Sequence, residues 1–241
     1  MKRIFSFALG NVWSWTTSKN RDNLIKYARK LDVSGVEITF ASKEEVYAFK
    51  LSEENRAWLK QLDYVTIHAP FCLVRESENE KEMIKQLNLI SEIYNDINAK
   101  NVIIHSISLP SQEMLKKYDL NVSTENTELR GRITISDLKK IFNQYPNIGL
   151  CLDVTHAYNW SKYETGNLVK AFKDRISQIH LSGNYRRKYH QSMRSVTKDF
   201  LLSLEPIKKL NAPIVIEEDI KIKSQKYLKE EVAYVKSLFD N

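Results

Sequence analysis

Short apolar runs alternate with longer amphipathic stretches along almost the whole chain. The first run is Phe5 to Leu9. Asn20 to Leu31 follows it, with Leu24, Tyr27, Ala28 and Leu31 at helical spacing. Further runs are Gly35 to Phe40, Tyr64 to Pro70, Asn101 to Ser106, Leu120 to Glu125, Ile148 to Leu152, Arg175 to Leu181 and Ala212 to Glu217. Each has the length of a strand. Between them, helices are predicted over Ser52 to Leu62, Ser77 to Ala99, Ser111 to Tyr118, Thr134 to Tyr145, Thr165 to Phe172, Thr197 to Leu210 and Ser224 to Phe239. Ser52, and Thr134 or Ser136, stand where helix caps belong. Strands that each lead into a helix imply a parallel sheet. Eight such units in 241 residues predict an α/β fold, a single-domain (β/α)8 TIM barrel over 1–241. A doubly wound open sheet is the alternative. Leu9-Gly10-Asn11-Val12, after the first strand, lacks the glycine-rich phosphate loop common in such sheets.

Composition changes this picture little. The chain is 42% hydrophobic and 28% charged, ordinary for a globular protein. No run reaches the length of a membrane span, and the apolar N-terminal stretch reads as a first strand, not a signal segment. Cys72 and Cys151 lie in or beside predicted strands, as buried thiols of a reducing compartment do, so a cytoplasmic location is expected. The formal net charge of +7 is compatible with an anionic partner, DNA or a small phosphate ester. The lysines are spread over predicted helices, where a solvated face accounts for them equally well.

The polar residues at the strand ends change it more. His68, His105, Glu125, Asp153, His180 and Glu217 close strands three to eight, His156 follows Asp153 by three residues, and His190 lies in the long connection from Ser182 to Val196. All five histidines of the chain are in this set, and none lies on a predicted helix. The C-terminal ends of barrel strands converge on one face, where active sites sit. Imidazole nitrogen and carboxylate oxygen are both good ligands for divalent metals. Eight potential ligands exceed the need of one ion, so two or three are expected. A pair of ions suits displacement at a phosphodiester. Trp13 and Trp15 could stack on a base or sugar, or pack the barrel mouth. Arg186, Arg187 and Lys188 could hold phosphates, or form a solvated loop.

In this order and spacing, Ile67-His-Ala-Pro-Phe71, Ile104-His105, Glu125-Asn-Thr127, Cys151-Leu-Asp-Val-Thr-His-Ala-Tyr158, Ile179-His-Leu181 and Ile214-Val-Ile-Glu217 resemble endonuclease IV and the wider xylose isomerase-like barrels of AP endonuclease family 2. The resemblance implies a metal-dependent phosphodiester hydrolase in which metal-activated water attacks phosphorus, with Glu125, Asp153 and Glu217 as catalytic carboxylates. It implies one ion on His68, His105 and Glu125, a second on Glu125, Asp153, His180 and Glu217, and a third using His156 and His190. Zinc is the usual ion of the family, with manganese or iron in relatives. The chain departs from the pattern at Lys188, where the family has an aspartate, and at Phe71, where relatives commonly carry tyrosine. The connection Ala41 to Leu51 is also short for a DNA-bending loop. A one-metal sugar isomerase or epimerase of the same superfamily, and a non-catalytic nucleic-acid-binding barrel, are the alternatives.

Overall fold

The computed structural model describes residues 3–16, 20–71, 73, 76–127, 133–186 and 188–239. Eight parallel strands close into a barrel. They are β1 (Phe5–Ala8), β2 (Gly35–Thr39), β3 (Tyr64–His68), β4 (Asn101–His105), β5 (Val122–Glu125), β6 (Gly149–Asp153), β7 (Ile176–Leu181) and β10 (Ile214–Ile216). The order around the barrel is β1-β10-β7-β6-β5-β4-β3-β2. The open-sheet alternative is thereby excluded. The connection after β7 carries an added antiparallel hairpin of β8 (Gly183–Tyr185) and β9 (Lys188–Gln191).

The strands alternate residue by residue, as half-buried strands should. Val36, Ile38, Val65, Ile67, Leu150 and Leu152 belong to the buried apolar core. The residues between them meet across the lumen. Gln178 on β7 reaches Glu37 on β2, and Tyr64 on β3 reaches Gln178, though neither pair of strands is adjacent. The apolar core therefore lies between sheet and helices, while the lumen is largely polar.

The outer layer contains α1 (Arg21–Ala28), α2 (Lys43–Tyr47), α3 (Glu53–Leu59), α4 (Glu76–Asp96), α5 (Gln112–Leu115), α6 (Ile135–Gln144), α7 (Val154–Trp160), α8 (Glu164–Phe172), α9 (Lys198–Ser203), α10 (Glu205–Lys208) and α11 (Gln225–Ser237). Ser52 caps α3 by accepting from Asn55 N. Thr134, and not Ser136, caps α6, through a reciprocal box with Asp137.

Several elements differ from those the pattern predicts. The helix expected over Thr197 to Leu210 is two helices. Pro206 sits in the first turn of α10, where its missing N–H is tolerated, and it could not continue α9. The connection Ala41 to Leu51 holds the short helix α2. His156 lies inside α7, correcting the expectation that no histidine is helical, because Asp153 caps that helix directly: its Oδ1 accepts from His156 N at 2.6 Å. Cys151 is a buried free thiol, and Cys72 lies outside the described residues. Among the described residues no helix is long and apolar enough to cross a membrane.

Candidate metal centre

The strand ends deliver the polar side chains to one point. Register pairs His105 with Glu125 across β4 and β5, and Asp153 with His180 across β6 and β7. Glu125 is the hub. Its Oε1 lies 2.8 Å from His180 Nδ1, and its Oε2 lies 3.2 Å from His105 Nε2 and 3.6 Å from His68 Nε2. Glu217, just past β10, brings Oε2 to 2.9 Å from the same His180 Nδ1. Potential ligand atoms cluster within 4.8 Å in His68, His105 and Glu125, in Glu125, Asp153, His180 and Glu217, and in Asp153, His156 and His190. The last cluster differs from the set the resemblance implies only by gaining Asp153. Lys188, in the family's aspartate position, is exposed on the hairpin.

So many charges in one buried place shift one another. Burial alone would lift the Glu125 carboxyl, but His180, His105 and His68 hold it well below the usual range. Burial also lifts Glu217, and the pull of His180 and His190 overrides it, down to about 2. Burial would depress His68, yet Glu125, with Glu37 and Glu217 beyond it, raises it to about 9. His180 behaves alike: burial opposes its charge, and the surrounding Cys151, Glu37, Glu217 and Glu125 carry it well above its ordinary value. Asp153 goes the other way. Burial raises it, and His156 only partly compensates.

Two observations fit these residues to divalent cations. Asp153 Oδ2 is fully buried and has no hydrogen-bond partner, which is costly for a carboxylate unless a cation completes it. The histidines are also aimed. His68 Nδ1 meets Ala69 O at 2.8 Å, His156 Nδ1 meets Asn126 O at 3.1 Å, and His190 Nδ1 meets Glu217 O at 3.0 Å. A ring that donates Nδ1–H to a carbonyl carries its lone pair on Nε2, the arrangement of metal-ligating histidines. His190 holds this pose at φ 55, a region uncommon for residues with a side chain, and its carbonyl is tied to Asp219 N at 2.7 Å.

Above the clusters lies a cavity of about 610 Å³, walled by Trp13, Phe71, Ile107 and Tyr189 and floored by His68, His105, Glu125, His156, His190 and Glu217. Trp13 and Phe71 thus stand where a substrate would pass. Trp15 instead is packed away, its indole N–H donating to Ile220 O at 2.8 Å. Arg186 and Lys188 are exposed on the β8–β9 hairpin and are not among the residues lining the cavity; Arg187 lies outside the described residues. No lysine or arginine is among the described lining residues.

Strand-end reasoning missed Glu37, Cys151 and Tyr189. Glu37 is fully buried, 3.2 Å from His180 Nε2, and Cys151 groups with Glu125 and His180. The alternation of Gly35-Val-Glu-Ile-Thr39 is a signal that could have found Glu37. Val36 and Ile38 claim the helix-facing side, so Glu37 must enter the lumen.

No family model matches the chain, and no curated protein sequence matches it. Solved structures do. Endonuclease IV from Thermus thermophilus is similar at 16% identity over 97% of this chain and 99% of that one, with a TM-score of 0.69. A xylose isomerase domain-containing protein from Salmonella typhimurium is similar at 12% identity over 99% of both chains, with a TM-score of 0.73. A D-tagatose 3-epimerase-like protein is similar at 17% identity over 97% and 98%, with a TM-score of 0.65. The chain therefore has the barrel fold common to the endonuclease IV and xylose isomerase-like proteins, as its motifs implied.

Proposed function

We propose that this protein is a metal-dependent phosphodiesterase of the endonuclease IV type, acting on DNA or another phosphate ester. The observation that carries the reading is the shared use of Glu125. One of its oxygens faces His105 and His68 while the other faces His180, so two donor clusters meet at a single carboxylate. One-ion sugar chemistry has no need of His68 and His105. Ions held by His68, His105, Glu125, Asp153, His180 and Glu217, zinc first and manganese or iron as alternatives, would supply Lewis-acid polarisation at phosphorus and a water made nucleophilic at neutral pH. His156, His190 and Asp153 would hold a further one.

The chain's own residues contribute the rest. Glu125, Asp153 and Glu217 are the catalytic carboxylates, supplying negative charge to hold the cations and sites to receive protons. Carbonyl-anchored His68, His156 and His190 keep their ligand nitrogens oriented without reorganisation. Trp13, Phe71, Ile107 and Tyr189 restrict water around the reacting group. The cavity walls offer apolar contact to a sugar or base, and the exposed Arg186 and Lys188, which do not line the cavity, would meet flanking phosphates. Cleavage of an abasic-site duplex and of simple phosphodiesters, with zinc or manganese, tests the reading. His68→Ala and Glu125→Ala should abolish turnover. Inertness of the metal-loaded wild-type chain toward every phosphodiester would sink the proposal.

One observation favours a second reading. The described cavity lining has no lysine or arginine, and the Glu125, Asp153, His180 and Glu217 cluster is complete by itself. A neutral polyol would suit that lining, which makes a one-ion sugar isomerase or epimerase the alternative. Ion stoichiometry separates the two: one tightly bound ion per chain supports the isomerase, two or more the phosphodiesterase.

A further inference from the structure

Glu37 is a buried acid that the proposed chemistry does not use. It sits mid-strand in β2 with no exposure. Its Oε2 accepts from Thr66 Oγ1 at 2.9 Å and from Gln178 Nε2 at 2.9 Å, and lies 3.2 Å from His180 Nε2. Gln178 is itself fixed, because its Oε1 accepts from Tyr64 Oη at 2.9 Å and from Asn101 Nδ2 at 3.3 Å. The Gln178 amide nitrogen is therefore a donor, and it lies 2.9 Å from His180 Nε2.

His180 Nε2 thus faces two neighbours with opposite demands. The Gln178 N–H would be satisfied by a lone pair on Nε2. That choice puts the ring proton on Nδ1, between Glu125 and Glu217, and leaves Nδ1 unable to act as a ligand. The Glu37 carboxylate is satisfied by a proton on Nε2, which frees the Nδ1 lone pair to face Glu125 and Glu217. With no cation present the Glu125 and Glu217 carboxylates, at 2.8 and 2.9 Å, compete for the ring proton at Nδ1. A cation on those two carboxylates would displace that proton and leave the Glu37 carboxylate as the charge-assisted acceptor of Nε2–H.

We propose that Glu37 is a positioning residue that accepts Nε2–H and so selects the His180 tautomer whose Nδ1 is a metal ligand. The assignment rests on the metal-centre reading above. Its physical logic is visible in the other rings. His68, His156 and His190 are oriented through Nδ1 by backbone carbonyls at the barrel mouth. His180 is turned the opposite way, with its far nitrogen inside the lumen. There the strand carbonyls point along the sheet to neighbouring strands. A side chain must supply the acceptor, and β2 supplies one from across the barrel.

The test is Glu37→Gln, which keeps the volume and removes the charge. Zinc and manganese affinities are measured by competition with a chelator, with circular dichroism as the check on folding. The tightest site should weaken about 10–100-fold. Histidine-selective 15N labelling gives a readout that a merely structural role would not move. In zinc-loaded wild type, His180 should show a downfield, slowly exchanging Nε2–H proton, which moves upfield and exchanges faster in the variant. An affinity within about twofold of wild type in the folded variant overturns the assignment. So does a wild-type spectrum without that protected Nε2–H, which decides the matter even if the variant fails to fold. A wild-type chain that takes up no divalent ion is a different failure: it removes the metal-centre reading, and this assignment with it.

Discussion

At the end of the lumen where the strands begin, polar groups satisfy one another. Tyr64 and Asn101 donate to Gln178, Ser123 donates to Asn101 Oδ1 at 3.0 Å, and the Ser123 and Ser177 hydroxyls are hydrogen-bonded at 2.6 Å. Every one of these side chains is neutral. At the end where the strands finish, Glu125, Asp153 and Glu217 crowd against five imidazoles, and Asp153 Oδ2 has no partner. The first arrangement joins neutral groups to one another, with Ser6 Oγ in the same layer left without a partner. The second sets imidazoles against carboxylates, so His68 and His180 rise while Glu125 falls. One end of the barrel thus holds neutral, mutually bonded groups and the other the charged ones, with the Glu37–Gln178–His180 contact as the joint between them.

The largest effect expected from this contrast is at Glu125. Glu125→Ala should cost about 10³-fold or more in phosphodiester turnover and lower the bound-ion count, since it touches both clusters. Ser123→Ala, one layer below, should leave turnover alone. Comparable losses in the two variants would erase the distinction between the ends. Next in size is His68→Ala. Elemental analysis should find one ion fewer than in wild type while the Asp153, His180 and Glu217 cluster keeps its own. An unchanged count would move the reading to the one-ion isomerase.

A pH experiment probes the same balance of imidazole and carboxylate charge. His68 has a folded pKa of about 9 against an ordinary 6.5. Its pairing with Glu125 therefore contributes stability that is fully present below pH 6.5 and is lost as pH rises through about 9. In the presence of a chelator the Tm should fall across that window. Metal affinity should rise across the same window, because ligand histidines must be deprotonated. Parallel trends in the two measurements would contradict this account. The smallest effect expected is at Tyr64→Phe. Losing its bond to Gln178 should cost about 1 kcal/mol, a Tm change of a few degrees, with the ion count unchanged.

Much of this was legible before any coordinates. Strand-length apolar runs followed by amphipathic stretches require a parallel sheet, and the unit count argues for closure. In such a sheet the residues His68, His105, Glu125, Asp153, His180 and Glu217 have to share one face, because strand ends converge whatever the loops do. What was not legible depends on distances between segments far apart in the chain. Helix α7 was missed because its cap is Asp153, a residue already assigned to a strand, and the bond to His156 N that starts the helix is local but not periodic. The stacking reading of Trp15 gives way to burial because Ile220, more than two hundred residues on, supplies a carbonyl for its indole.

The architecture and the residue types gathered at the mouth follow from periodicity along single segments. The orientation of those groups is a property of the closed barrel. Which oxygen of Glu125 faces which imidazole, and which nitrogen of His180 faces Glu37, depends on the register and closure of eight strands. A hydrogen bond acts over about 3 Å, and no pattern along one strand reports what a strand on the far side of the lumen brings within that reach.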